Sequence, residues 1–235
     1  MAHVLAQAAS GKSLVQTAMT AVKSHIRNEG LHVGDTLPSE GKFAEQLGVS
    51  RAVMREAFGA LAALKLIDVA NGRRARVGAL DGSVIAESLE QAISTAQIRT
   101  TDVWEVRRTI EMRTAMLAAQ NRTPHQAADI VALAANMSRD DQPHEQTTED
   151  DIAFHLAIAE ASGNELFHQI VKSFEPLMRV AVPRAWRTRQ TAEERRNILA
   201  CHRDLARAIA DGEPEEARRQ MATHFDESIG MQLRD

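Results

Sequence analysis

The stretch Leu37-Pro-Ser-Glu-Gly-Lys-Phe-Ala-Glu-Gln-Leu-Gly-Val-Ser-Arg-Ala-Val-Met-Arg-Glu-Ala-Phe58 decides how this chain is read. Ser39 is placed to cap a helix whose apolar residues Phe43, Ala44 and Leu47 share one face, and Gly48 follows where a left-handed residue ends a helix. Ser50 caps a second helix, with Val53, Ala57, Leu61 and Leu64 as its buried stripe. Arg51 and Arg55 stand four residues apart, so they project together and away from that stripe. There a guanidinium can bond bidentately to a guanine edge or a phosphate. The pair is either a device for entering the DNA major groove or an ordinary helical hairpin with a solvated basic face.

The flanking sequence favours the first reading. Leu14, Val15, Ala18, Val22 and Ile26 describe an amphipathic helix that supplies a third member of the core. Leu66-Ile-Asp-Val69 and Ala75-Arg-Val77 flank Asn71-Gly72, a type I′ hairpin signal that adds a β wing. Residues 1–78 carry ten Lys/Arg against six Asp/Glu, or +4, and residues 79–235 carry eighteen against twenty-six, or −8. The net charge of −4 therefore hides a basic head on an acidic body.

Gly34-Asp-Thr-Leu-Pro-Ser-Glu40, Leu47-Gly-Val-Ser-Arg51, Arg55-Glu-Ala57 and the following Leu61 and Leu64 together resemble the winged helix-turn-helix of the GntR family of bacterial transcription regulators. By position, the resemblance implies that Arg51 and Arg55 touch double-stranded operator DNA, a short palindrome. It further implies Ser39 and Ser50 at the DNA, Ser50 on a phosphate, and Asn71-Gly72 at a wing tip in the minor groove. Gly41 stands where some members place a basic residue, and Arg73-Arg74-Ala75 replaces a glycine-rich wing, so Arg73 gives the wing a more electrostatic contact.

A head of 1–78 leaves 79–235 for a second domain. With 3% aromatic residues and no Tyr, that region favours helices packed through small and aliphatic side chains. Breakers cut it into helices near 82–98, 102–121, 124–138, 147–162, 164–181, 191–211 and 214–232, with Asp102 and Thr123-Pro124 as start signals and Gly163, Pro183 and Gly212 as interruptions. A polar stretch around 138–146 reads as a loop between helices. The expected fold is mainly α: a winged helix-turn-helix of three helices and a small wing, then an all-helical bundle of six to seven helices. The single Cys201 reads as a reduced, buried thiol. No apolar run is long enough to span a bilayer, and the short Met1–Leu5 lead into polar sequence is not a signal peptide, so the expected location is the cytoplasm.

Within that bundle, Asp151 and His155 lie four apart on one helix beside Phe154 and Ile158. His202 is in register with Ile198, Leu205 and Ile209, and His224 lies between Met221 and Phe225. Three imidazoles and a carboxylate on inward stripes form a ligand set for a divalent transition metal. Each taken alone reads more readily as a hydrogen-bonded core residue. Asp151-x-x-Phe-His155, Ala161-Ser-Gly-Asn164, His202-Arg-x-Leu-x-x-Ala-Ile209, Met221-x-x-His224 and Glu105-Val-Arg-Arg-x-x-Glu111 together resemble the FCD ligand-binding domain of the FadR-like branch of GntR regulators.

That resemblance implies a metal, zinc first with nickel, manganese or iron as alternatives, held by Asp151, His155, His202 and His224. It also implies a small carboxylate or sugar-acid effector bound by Arg107, Trp186 and Asn164. Arg107 alternatively forms an ion pair with Glu111, and Trp186 alternatively packs as a lid. The expected function is a homodimeric, metabolite-responsive transcription regulator, a repressor by family default and not an enzyme. The alternatives are a regulator for which the ion itself is the effector, and a metalloenzyme fused to a DNA-binding head.

Overall fold

The computed structural model describes residues 13–137, 144–189 and 191–229. The chain divides between Asp81 and Gly82 into two compact units. In the first, α1 (Leu14–Asn28), α2 (Glu40–Leu47) and α3 (Arg51–Ala63) precede a ribbon of β1 (Ile67–Asp68) and β2 (Arg76–Val77). Ala18, Val22, Leu37, Phe43, Met54, Phe58, Leu61 and Ile67 form its core.

Each of the three helices opens on a serine that accepts a bond from a backbone N–H three residues on: Ser13 from Gln16, Ser39 from Lys42 and Ser50 from Val53. Gly48, at φ 66°, lets α2 end and the chain reverse into Ser50, with Val49 N–H bonded back to the Ala44 carbonyl at 3.1 Å.

Two expectations shift here. The buried stripe of α3 is Met54, Ala57, Phe58 and Leu61; Val53 is only partly covered and Leu64 is exposed. The helix stops at Ala63, and Lys65 turns left-handed at φ 57°, so Leu64 leaves the helical phase that would have buried it. The wing is also not closed by a type I′ turn. Its strands pair Ile67 with Val77 and Asp68 with Arg76, and the turn from Ala70 to Arg73 has positive φ only at Gly72, whereas type I′ needs it at both central residues. Residues 34–37 add a third layer to the wing, through Val77 N–H to Asp35 C=O at 2.9 Å and Leu37 N–H to Ala75 C=O at 2.8 Å.

The second unit holds eight helices among the described residues: α4 (Ser83–Ser94), α5 (Thr100–Asn121), α6 (Pro124–Asn136), α7 (His144–Ala161), α8 (Glu165–Ser173), α9 (Glu175–Thr188), α10 (Ala192–Asp211) and α11 (Pro214–Ile229). Helix α5 packs against α7, α10 and α11, and its Ala115, Ala118 and Ala119 let those neighbours approach closely. Phe154, Ile158, Leu205, Ile209 and Met221 complete that core.

Of the start signals, Asp102 acts inside the first turn of its helix and Thr123 directly ahead of its own. Asp102 accepts the Arg99 backbone N–H at 2.8 Å, so α5 begins at Thr100, and Thr123 with Gln126 makes a reciprocal cap on α6. The expected helix 164–181 is two helices. It breaks at Phe174 ahead of Pro176, which has no N–H to give to a continuing helix, while Pro183 lies inside α9 instead of ending it. Residues 138–143 of the expected loop, 230–232 of the expected last helix and Met1–Leu5 lie outside the described residues. No helix among the described residues is long and apolar enough to cross a membrane.

Candidate metal centre and nucleic-acid interface

Four residues from three helices converge in the bundle. Asp151 and His155 stand one turn apart on α7, His202 is on α10 and His224 on α11; all four are buried, and one ligand atom from each lies within 4.8 Å of every other. The His155 Nδ1–H donates to Glu111 of α5, which leaves the Nε2 lone pair facing inward, 3.2 Å from His224 Nε2. The His202 Nδ1–H donates to the Ile198 carbonyl at 2.9 Å, so its Nε2 faces Asp151 Oδ1 at 3.0 Å. Such partners fix the tautomer of a metal-binding imidazole.

The donor set fits a metal ion. Two ligand atoms at about 2.0–2.2 Å from one ion, at tetrahedral to octahedral angles, are separated by about 2.8–3.6 Å, and both close pairs fall in that range. Three imidazole nitrogens and a carboxylate oxygen converge on one point, and His224 Nδ1 is buried with no partner. That arrangement is costly unless a cation occupies its centre.

Charges around the site are arranged on α5. Arg107 Nε donates to Glu111 Oε1 at 2.7 Å; the two residues are 2% and 1% exposed, and the guanidinium stacks 4.4 Å from the Trp104 ring centre. Burial pushes the Glu111 carboxyl up, but Arg107 and His155 outweigh it and hold it below its ordinary value. Burial acts on Asp151 in the same way, and the His202 hydrogen bond with the surrounding imidazoles leaves its carboxyl low as well. His224 is pushed well below the ordinary imidazole value by burial first and then by His202 and His155. Burial also raises the Cys201 thiol, which removes it as a nucleophile at neutral pH.

These directions set a pH dependence. A low imidazole pKa in the fold means that the unfolded chain takes up a proton first, so the His224 contribution is present above about pH 6.5 and lost as pH falls below it. The Asp151 and Glu111 contributions are present above about pH 4 and lost as pH falls through their lowered folded values. Urea unfolding of chelator-treated protein is therefore expected to show stability falling in two steps on acidification. A flat profile from pH 7 to about pH 5 would remove the buried neutral His224 from the account.

A small cavity of about 30 Å³ adjoins the four residues and is also lined by Arg107, Trp186 and Arg189. Arg107 Nη1 is buried without a partner, so Arg107 makes its ion pair with Glu111 and still has a donor free beside this cavity. Trp186 lies on the cavity wall and packs beside Met178 and Val182. Asn164, expected at the effector, is not among the residues that line this cavity. Its side-chain oxygen caps α8, accepting from Leu166 N–H at 3.1 Å and Phe167 N–H at 3.4 Å, on an exposed turn.

In the sequence Glu111 stands out as a partner for Arg107 and as the end of the Glu105-Val-Arg-Arg-x-x-Glu111 motif. Its spacing of four from Arg107 was the available signal for a buried pair, but nothing in the sequence marked its bond to His155. Arg189 carried no signal, since it follows the end of α9.

In the first unit, Arg51 and Arg55 are exposed on the first turns of α3 and line a cleft of about 540 Å³ with Arg73, Arg74 and Gly72. Gly41 also lines that cleft, where an added Cβ would make only ordinary contact, 3.9 Å from Arg51 Nε. Ser39 and Ser50 have their hydroxyls engaged as caps, so a phosphate at Ser50 would meet a helix N-terminus, itself an anion site. Asn71 is exposed beside Gly72. Arg51→Ala and Arg55→Ala are each expected to weaken specific operator binding by about 1–3 kcal/mol. Fluorescence anisotropy at fixed salt measures this, and unchanged affinity in both variants would remove α3 as the reading helix.

Comparison with known proteins places both units. Residues 14–77 match the profile of bacterial regulatory proteins of the gntR family, and residues 102–227 match that of the FCD domain. The chain belongs to the GntR family. It is a transcription regulator with a winged helix-turn-helix and an FCD domain. This GntR-family chain is 29% identical to the HTH-type transcriptional regulator LutR of Bacillus subtilis over 85% of its own length and 92% of that protein. It is 31% identical to the Glc operon transcriptional activator of Escherichia coli over 71% of its length and 68% of that protein. A solved structure of Streptococcus agalactiae GntR superposes with a TM-score of 0.63 at 23% identity, covering 91% of this chain and 97% of that one, which shows the shared fold.

Proposed function

We propose that this GntR-family regulator works as a homodimer in which a small organic or sugar acid, bound at a divalent metal in the bundle, changes operator affinity. The observation that carries the proposal is the convergence of Asp151, His155, His202 and His224 beside a cavity at which Arg107 holds an unused donor. A bound divalent ion would act as a Lewis acid for one carboxylate oxygen of the ligand. Glu111 holds His155 and Arg107 together, Arg107 offers Nη1 to the acid, and Trp186 excludes water from it. Zinc fits three nitrogens and one carboxylate best, with nickel, manganese or iron next.

A dimer supplies the output. Two recognition helices must meet successive groove faces of a palindrome together, so a ligand that prefers one arrangement of the paired bundles changes DNA affinity by its differential binding energy. A regulator answering to the ion alone would have no use for the free Arg107 donor. A thermal-shift panel of small organic and sugar acids on zinc-loaded protein, followed by operator titration with the best binder, tests this. At least one acid should raise the melting temperature and shift operator affinity. If every acid is inert while operator binding tracks zinc, the ion is the effector.

A further inference from the structure

Arg189 follows α9 and lies over the bundle cavity. Its guanidinium carbon is 5.1 Å from the Trp186 ring centre, the residue is only 7% exposed, and it lines the same cavity as the four candidate ligands. Among the described residues no carboxylate forms an ion pair with it; Asp151, Glu194 and Glu227 act on it only through space. Burial, the larger influence, lowers its affinity for its own proton. A buried guanidinium without an anion is unfavourable, and its planar fork is shaped for a carboxylate.

Arg107 differs, because Glu111 already balances its charge. The charges at the cavity can be summed. Arg107 and Glu111 cancel, metal-binding imidazoles are neutral, Asp151 contributes −1, a divalent ion +2 and Arg189 +1. Among the groups that line the cavity the sum is +2, with Glu194 and Glu227 acting on Arg189 from outside it, and one monocarboxylate leaves that +2 half neutralised.

Resting on the acid-effector reading above, we infer that the effector is a short dicarboxylate, with one carboxylate at the metal and Arg107 Nη1 and the second on Arg189 over Trp186. The cavity of about 30 Å³ has room for about two water molecules, so the diacid must be short and lining side chains must give way to admit it.

Calorimetric titration of zinc-loaded protein with three matched pairs tests this: malate and lactate, succinate and propionate, tartrate and glycerate. In each pair the first acid is the second with one more carboxylate. At least one diacid is expected to bind about tenfold or more tighter than its partner, the contribution of one buried charge-assisted contact. Arg189→Gln should bring that ratio to within about threefold while monoacid affinity and zinc content hold, with Arg189→Lys between the two. Equal affinities within every pair in the unaltered protein, or a preference that survives Arg189→Gln, overturn the dicarboxylate assignment and leave the acid reading standing. A loss of zinc in Arg189→Gln, with both acids weakened alike, overturns it too. Binding of no acid at all, in these pairs and in the wider panel, overturns both.

Discussion

Glu111→Gln is expected to destabilise the bundle by about 3–5 kcal/mol, the cost of leaving one partner of a buried ion pair without the other. The carboxylate is fully enclosed and bonds Arg107 Nε on one oxygen and His155 Nδ1–H on the other. Glutamine keeps the shape but supplies one acceptor and no charge. Arg107 then remains 2% exposed without its counter-ion. Urea unfolding followed by tryptophan fluorescence reports this directly, because the chain's two tryptophans, Trp104 and Trp186, both lie in the second unit.

A companion variant separates stability from site assembly. Arg107→Met with Glu111→Met replaces the pair by apolar groups of similar length and should regain most of the lost stability. It should not regain the metal. Without the acceptor that fixes the His155 tautomer, zinc affinity should fall by about 10- to 100-fold. If Glu111→Gln unfolds within about 1 kcal/mol of the unaltered protein, the pair is not holding the bundle together.

Metal removal is the second large effect. Binding that occurs only in the folded state adds about 4 kcal/mol when the free ion is present at about a thousand times its dissociation constant. For a unit of this size each kcal/mol moves the melting temperature by roughly 2–4 °C, so chelation should lower the tryptophan-detected transition by roughly 8–16 °C. The His202→Ala, His224→Ala double variant should carry no metal by elemental analysis and should not respond to chelator. A metal-free preparation from zinc-supplemented cells, with no response to added zinc, would make the constellation structural.

The legibility of the molecule in its sequence varied with the range of the interaction. The caps at Ser39, Ser50 and Thr123 and the reversal at Gly48 were readable because each depends on residues within one helical turn. Helix bounds were less readable. The split at Phe174 came from Pro176, while Pro183 was tolerated inside α9. The wing followed the same rule: Asn71-Gly72 marked a turn, but pairing of residues 34–37 with β2 is a long-range contact that no local pattern shows.

By itself the sequence determined the family, the helical class, an exposed basic face on α3 and four residues that could hold a metal, because each rests on residue type at short spacing or on motifs carried whole. Only the tertiary structure decided what surrounds those positions. It joined Glu111 to His155 across two helices, gave Arg107 both an ion pair and a spare donor, withdrew Asn164 into a helix cap and brought Arg189 over the cavity. The physical reason is that the electrostatics of a buried site depend on which charges are near in space and shielded from water, and sequence distance carries neither quantity.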